Sequence, residues 1–239
     1  MRIRFGRPLF TQAEKNAASL ALKYRHLTNA GFVAQFEERF QEAVGGGEAV
    51  AVSSCWAALH LACVGIGLKA GDEVIVPALT HVATANAAVM CGARPVFVDA
   101  HVSSGNIDPD LIKAKISPRT KAIMLVHYLG QPGYMRSIMS LARQNGLKII
   151  EDCALALGVK HDFSDRHVGL IGDAGCFSFY PVKHITTGEG GMLLTTNPEL
   201  ALQARAMRSF GMVEGLMQHP GFNYRMTEMQ AAIGLAQLR

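Results

Sequence analysis

An α/β fold with a mostly parallel, seven-stranded sheet between helices is predicted by three features of this 239-residue chain. Short runs rich in Val, Ile, Leu and Phe recur seven times from residue 49 onward, amphipathic stretches lie between most of them, and no repeat or low-complexity segment breaks the order. Strands that read as continuous apolar runs are covered on both faces, and the strand–helix–strand order supplies that cover as crossover helices.

An N-terminal arm, MRIRFGRPLF, comes first; it carries basic residues but no apolar stretch of signal-peptide length. Next, TQAEKNAASLALKYRHL (11–27) and FVAQFEERFQEAV (32–44) repeat apolar side chains at helical spacing, and Gly45 to Gly47 close the second. The strand runs are AVAV (49–52), EVIVP (73–77), PVFVD (95–99), AIMLVH (122–127), LKIIED (147–152), GCFSF (175–179) and GMLLT (191–195). Helices are expected at WAALHLACVGIGL (56–68), HVATANAAVM (81–90) and MRSIMSLARQNG (135–146), and MTEMQAAIGLAQLR (226–239) reads as part of another. Residues 1–47 therefore read as an arm with helices, and 48–239 as one large domain.

The composition, 49% hydrophobic and 18% charged, is that of a globular protein with a sizeable core. Its 23 Lys and Arg against 19 Asp and Glu give a net charge of +4 without the basic runs that track a phosphate backbone, so no nucleic-acid partner is expected. Five cysteines, none in C-x-x-C spacing, fit a reducing compartment, and no segment reaches membrane-spanning length; a cytoplasmic protein with no membrane partner is expected. Nine histidines form neither H-x-H nor H-E-x-x-H, so no metal is expected. The first strand leads into SSCW rather than G-x-G-x-x-G, and no G-x-x-x-x-G-K-[ST] occurs, which argues against a Rossmann dehydrogenase and a P-loop enzyme.

Sheets of this kind bind ligands outside the carboxyl ends of their strands, which directs attention to Ser53–Ser54, Pro77–His81, Asp99, His127, Asp152 and Ser178. Asp152 ends an apolar strand, and Lys183 sits between the apolar run FSFYPV and the glycine-rich turn TTGEGG. The two read either as a structural ion pair or as parts of a pyridoxal phosphate (PLP) site, because that cofactor needs a lysine amine for its Schiff base, a carboxylate at its pyridine nitrogen and donors for its phosphate. Burial among apolar residues lowers a lysine's pKa and frees its amine as a nucleophile. Ser54, Cys55 and Trp56 open a helix after a strand, where unpaired amides attract an anion, although a serine there is also an ordinary N-cap. Ser178 offers a further hydroxyl, and His81, at the start of another helix, a ring to lie against that of the cofactor.

The segments AVAVSSCWAALHLA, GDEVIVPALTHVATANAA, PVFVDAHVSSGNIDP, PRTKAIMLVHYLGQP, IIEDCALALG, GDAGCFSFYPVKHITTGEGGM and GFNYRMTEMQAAIGLAQL, taken in order, resemble the DegT/DnrJ/EryC1/StrS family of PLP-dependent sugar aminotransferases. The resemblance implies an aspartate-aminotransferase-like (type I) PLP-binding large domain over 48–239. It implies Lys183 on the cofactor aldehyde, Asp152 on the pyridine nitrogen, His81 at the ring-stacking position, and Ser178 with the amides of Cys55 and Trp56 on the phosphate. Asn223 of FNYRM matches an asparagine that reaches the neighbouring subunit's phosphate, which implies a homodimer with shared active sites. The implied reaction moves an amino group from glutamate onto a nucleotide-linked keto sugar, for amino-sugar and polysaccharide biosynthesis, with Lys183 shuttling the proton.

Three departures from the family pattern qualify this. Trp56 stands where a threonine is common, and Leu155 where a His or Gln touches the cofactor's ring oxygen. The family's smaller C-terminal domain is expected to be absent. The alternative reading is accordingly a truncated, catalytically silent relative that acts as a binding or partner subunit. The sheet side that the small domain normally covers is expected to expose apolar surface and to favour an oligomer.

Overall fold

In a computed structural model, residues 6–28 and 30–239 are described; the first half of the predicted N-terminal arm, residues 1–5, lies outside them. All seven apolar runs form strands: β1 (Glu48–Val52), β2 (Glu73–Pro77), β3 (Arg94–Val98), β4 (Thr120–Val126), β5 (Lys148–Asp152), β6 (Ala174–Ser178) and β7 (Gly191–Thr195). They make one sheet in the order β1-β7-β6-β5-β4-β2-β3. Only β7 runs against the rest, pairing antiparallel with both β1 and β6. The crossovers from β2 to β3 and from β4 to β5 contain helices, as the strand–helix order predicts, whereas residues 153–173, between β5 and β6, form turns with no helix.

The helices are α1 (Gln12–Ala21), α2 (Phe32–Val44), α3 (Cys55–Gly65), α4 (Val82–Met90), the single turn α5 (Pro109–Ile112), α6 (Met135–Asn145), α7 (Pro198–Met207) and α8 (Glu228–Gln237). Two corrections to the sequence reading concern α1 and α7. The first helix stops at Ala21, six residues before the predicted end, because Lys23 and Tyr24 tighten into i−3 bonds and Tyr24 turns its ring edge-on to Phe32, 5.0 Å away. The α7 helix went unpredicted, although Asn197 caps it through its side chain and Pro198 opens it, a pairing typical of a helix start. A two-residue hairpin, β8 (Met212–Val213) with β9 (Leu216–Met217), is too short to give an apolar pattern.

Strand side chains alternate between two faces, and each face has its own core. Val50, Val52, Met124, Ile150, Cys176 and Leu193 meet α3, α4 and α7. On the other face, Ala51, Phe177, Met192 and Leu194 meet α2 and α8, while Ile123, Leu125 and Ile149 meet α6. Helix α3 is apolar around its whole circumference, as befits a helix enclosed between the sheet and other helices. The free edge of β1 is closed by side chains: Glu37 accepts the Ala51 N–H at 2.8 Å, and Arg208 donates to the Ala51 carbonyl at 2.6 Å while contacting Glu37. Spending the edge groups in this way blocks strand addition there.

Glu228 is buried at the start of α8 and accepts the backbone N–H groups of Ala30, Gly31 and Phe32 at 2.6–3.0 Å, so that its carboxylate caps α2 from a distant part of the chain. Replacing Glu228 with alanine orphans several buried donors. The expected cost is about 2–4 kcal/mol, read as a lower urea midpoint with an unchanged slope.

Candidate active site

The pleat decides which strand-end residues meet. In β5 and β6 the alternation that sends Ile150, Ala174 and Cys176 toward α3 and α4 sends Asp152 and Ser178 the same way. Gly191 is the register partner of both Val52 and Ser178, so the carboxyl ends of β1 and β6 flank the start of β7. A Cβ on Gly191 would lie 2.4–2.5 Å from backbone atoms of Ser54 and Cys55. Glycine at this position lets the first turn of α3 approach the sheet, a requirement not noticed in the sequence.

In that turn, Ser54 is the N-cap of α3 and accepts the Ala57 N–H at 3.1 Å. The ordinary N-cap reading of Ser54 is therefore correct, and its hydroxyl proton remains free. Among the described residues, no hydrogen bond uses the N–H of Cys55 or Trp56. Two backbone donors at a helix N-terminus are thus left unpaired, an arrangement that suits an anion. The Ser178 hydroxyl accepts only a long bond, 3.4 Å, from the Tyr180 N–H.

Asp152 is 5% exposed. Its Oδ2 accepts from the Thr84 hydroxyl at 2.9 Å and its Oδ1 from the Ala154 N–H at 3.1 Å. Burial raises its pKa, against the opposing effects of those two donors and of the Lys183 and His127 charges. Thr84, on the first turn of α4, is a site neighbour that sequence reasoning missed; it lies three residues after His81, one helical turn along. His81 caps the same helix, its Nδ1 accepting the Ala83 N–H at 3.2 Å, and its ring is exposed above that turn.

Lys183 is half-buried on a loop pinched at its base. The Phe179 carbonyl accepts the Thr186 hydroxyl at 2.9 Å and the Thr187 N–H at 3.0 Å, and the Phe179 N–H donates to the Gly190 carbonyl. Among the described residues no ion pair within 4.0 Å joins Lys183 to Asp152, so the structural ion pair considered from the sequence is not formed. Both charges nevertheless reach Cys55, whose thiol pKa is pushed well up by burial and by Asp152, with Lys183 pulling the other way. Acid, amine and the turn opening α3 therefore lie near enough for the two charges to act on the Cys55 thiol.

Asn223 is exposed, on a segment that runs beside the same turn: the neighbouring Tyr224 carbonyl accepts the Ser53 N–H at 2.8 Å. Leu155 is half-buried under the 128–130 turn, where a Cβ on Gly130 would come within 2.8 Å of the Leu155 carbonyl. His127, considered a strand-end candidate, belongs to the scaffold. It is fully buried, Nε2 lies 2.9 Å from Glu151, and Nδ1 accepts the Gly133 N–H. With Cys153, these two residues bring potential metal ligands within 4.8 Å, but hydrogen bonds already account for His127 and Glu151.

Residues 9–239 match the DegT/DnrJ/EryC1/StrS aminotransferase family. The chain is 46% identical over 210 residues to GDP-perosamine synthase of Caulobacter vibrioides, an alignment that covers 87% of this chain and 56% of that protein. The structure of DesI in the presence of its TDP-sugar product superposes with a TM-score of 0.90 at 36% identity, covering 99% of this chain and 60% of that one. The PLP form of Spr1654 from Streptococcus pneumoniae gives a TM-score of 0.93 at 27% identity, over all of this chain and 66% of that one. The chain thus spans roughly three fifths of the length of these relatives, which run from 56% to 66% covered.

Proposed function

Because the chain belongs to the DegT/DnrJ/EryC1/StrS aminotransferase family, whose members use PLP, we propose that it carries the cofactor-binding site of an enzyme that aminates a nucleotide-linked keto sugar with glutamate as donor. The observation that carries this reading is the convergence, at one carboxyl edge of the sheet, of a buried acid, an amine and a helix N-terminus with free amides. These groups fit PLP: its three chemical handles, ring nitrogen, aldehyde and phosphate, each find a complementary residue. When bound, the cofactor supplies an exchangeable aldehyde and a ring that withdraws electrons from the reacting carbon.

Asp152 would hold the proton on the ring nitrogen. Its buried carboxylate lacks a full counter-charge, so a cationic ring stabilises it, and Thr84 fixes its orientation. The Lys183 amine would hold the cofactor through its aldehyde and would serve as the base and acid that moves the proton at the substrate carbon. Cys55 and Trp56 would offer their amides, and Ser54 and Ser178 their hydroxyls, to the phosphate, and the exposed His81 ring would stack on the cofactor. Asn223 is exposed for use by a second copy, and the partner is therefore read as another copy of this chain in a homodimer. Exposed apolar side chains on and beside α4 (Leu79, Val82, Met90) and on the hairpin (Leu216, Met217) fit such an assembly. No helix among the described residues is long and apolar enough to cross a membrane.

The nucleotide-sugar substrate class is supported by the names of two relatives, one a GDP-perosamine synthase and one described in the presence of its TDP-sugar product. Glutamate added to the PLP-loaded protein is expected to convert bound pyridoxal absorbance to that of pyridoxamine phosphate within a single turnover. An unaltered spectrum in a loaded, dimeric sample refutes the transaminase reading.

A further inference from the structure

Trp56 removes a side-chain hydroxyl from the turn that opens α3, and the structure shows what the indole does instead. Its ring stacks on His60, one turn along α3, with centroids 5.3 Å apart and planes 22° from parallel. His60 is almost fully buried, and its Nδ1 lies 3.0 Å from the Tyr224 hydroxyl. Tyr224 also meets the indole edge-on at 5.9 Å and stacks on Phe222. At its other end the Tyr224 carbonyl accepts the Ser53 N–H at 2.8 Å. One tyrosine therefore grips both ends of residues 53–56, the first through its backbone and the last through His60 and the indole.

We propose that Tyr224 and His60 are positioning residues for a phosphate bound at this turn, holding the Cys55 and Trp56 N–H groups in the donor arrangement that the missing threonine hydroxyl would otherwise help to enforce. The inference rests on reading residues 53–56 as the cofactor's phosphate turn. A single residue gripping both ends restricts the turn before any ligand arrives, and preorganised donors bind an anion with less loss of freedom than mobile ones. The effect is specific to the phosphate, since Tyr224 and His60 make no contact with Asp152 or Lys183 among the hydrogen bonds of the described residues.

The test compares two aldehydes, PLP and pyridoxal, which differ only in the phosphate. Equilibrium binding to the unliganded protein is followed through Schiff-base absorbance and confirmed by borohydride trapping at Lys183. Tyr224→Phe is expected to weaken PLP about fivefold, the equivalent of one neutral hydrogen bond, and to leave pyridoxal binding unchanged. Trp56→Ala is expected to do the same, with Trp56→Phe restoring most of the loss by keeping a ring over His60. Equal affinities of parent and Tyr224→Phe for PLP, or a parallel loss for both aldehydes, overturn the inference. If Tyr224→Phe does not fold, the Trp56 pair decides on the same ratio. A parent protein that forms no adduct at Lys183, or that binds both aldehydes alike, instead refutes the phosphate-turn reading itself.

Discussion

Lys183→Ala is expected to abolish covalent retention of PLP and to lower the glutamate half-reaction by about 10³-fold or more, because in the proposed function one amine serves as both the attachment point and the proton carrier. The rest of the site predicts how the variant retains its ligand. Free amides at the start of α3 and the Asp152 carboxylate are untouched, so PLP is expected to remain bound, with weaker affinity and without the Schiff-base absorbance. Borohydride followed by peptide mass spectrometry locates the adduct in the parent and its loss in the variant. Turnover equal to that of the parent overturns the assignment of Lys183. A parent that takes up PLP at Lys183 but turns over no donor favours the alternative, a catalytically silent subunit. The loop at Lys183 is pinched by Phe179, Thr186 and Thr187 rather than by the lysine, so alanine there leaves the fold intact.

The sheet was legible because burial on both faces leaves most strands as apolar runs, the half-exposed edge strand β3 excepted in its burial, and seven runs became seven strands. Lys183 and Asp152 drew attention for the converse reason: a charge at the margin of an apolar run is costly unless something uses it. What stayed hidden depends on contacts between distant segments. Thr84 reads as an unremarkable helix residue until α4 is laid over the end of β5. Gly191 looks like one more glycine in TTGEGG until a backbone passes where its Cβ would stand. Trp56 was read as a loss, a hydroxyl missing from the turn, because no sequence pattern connects it to a tyrosine 168 positions later; the stacking on His60 appears only in three dimensions. The early end of α1 has the same origin, since apolar spacing continues through Leu27 while Tyr24 leaves the helix to reach Phe32.

Glu151 and Asp152 are indistinguishable as letters, and the pleat makes them opposites. Glu151 points away from α3 and accepts the Gly169, Ile171 and Gly172 N–H groups at 2.6–3.0 Å as well as His127. Burial pushes its carboxyl up, but His127, His161 and the Gly172 N–H together outweigh burial and hold it well below the usual carboxylate range. Glu151→Gln replaces one accepting oxygen by an amide that confronts N–H donors, and about 3–5 kcal/mol of stability is expected to be lost. The sign of the pH dependence follows from the lowered pKa. Ionised Glu151 stabilises the fold fully above the unfolded carboxyl pKa, near 4.3, and that contribution disappears as the pH falls further, so the gap between parent and variant narrows below about pH 4. Asp152→Asn reverses the pattern. Burial raises the Asp152 pKa, so ionisation there opposes folding. An asparagine keeps the shape, with its carbonyl accepting from Ala154 and its amide donating to Thr84. The unliganded variant is expected to be as stable as the parent or more so, yet to hold PLP weakly and to transaminate poorly, because a neutral amide does not retain a proton on the ring nitrogen. Urea titrations of both variants at pH 7 and pH 4, set beside their PLP affinities, decide the matter: loss of stability in Asp152→Asn with normal cofactor binding would exchange the roles of the two acids.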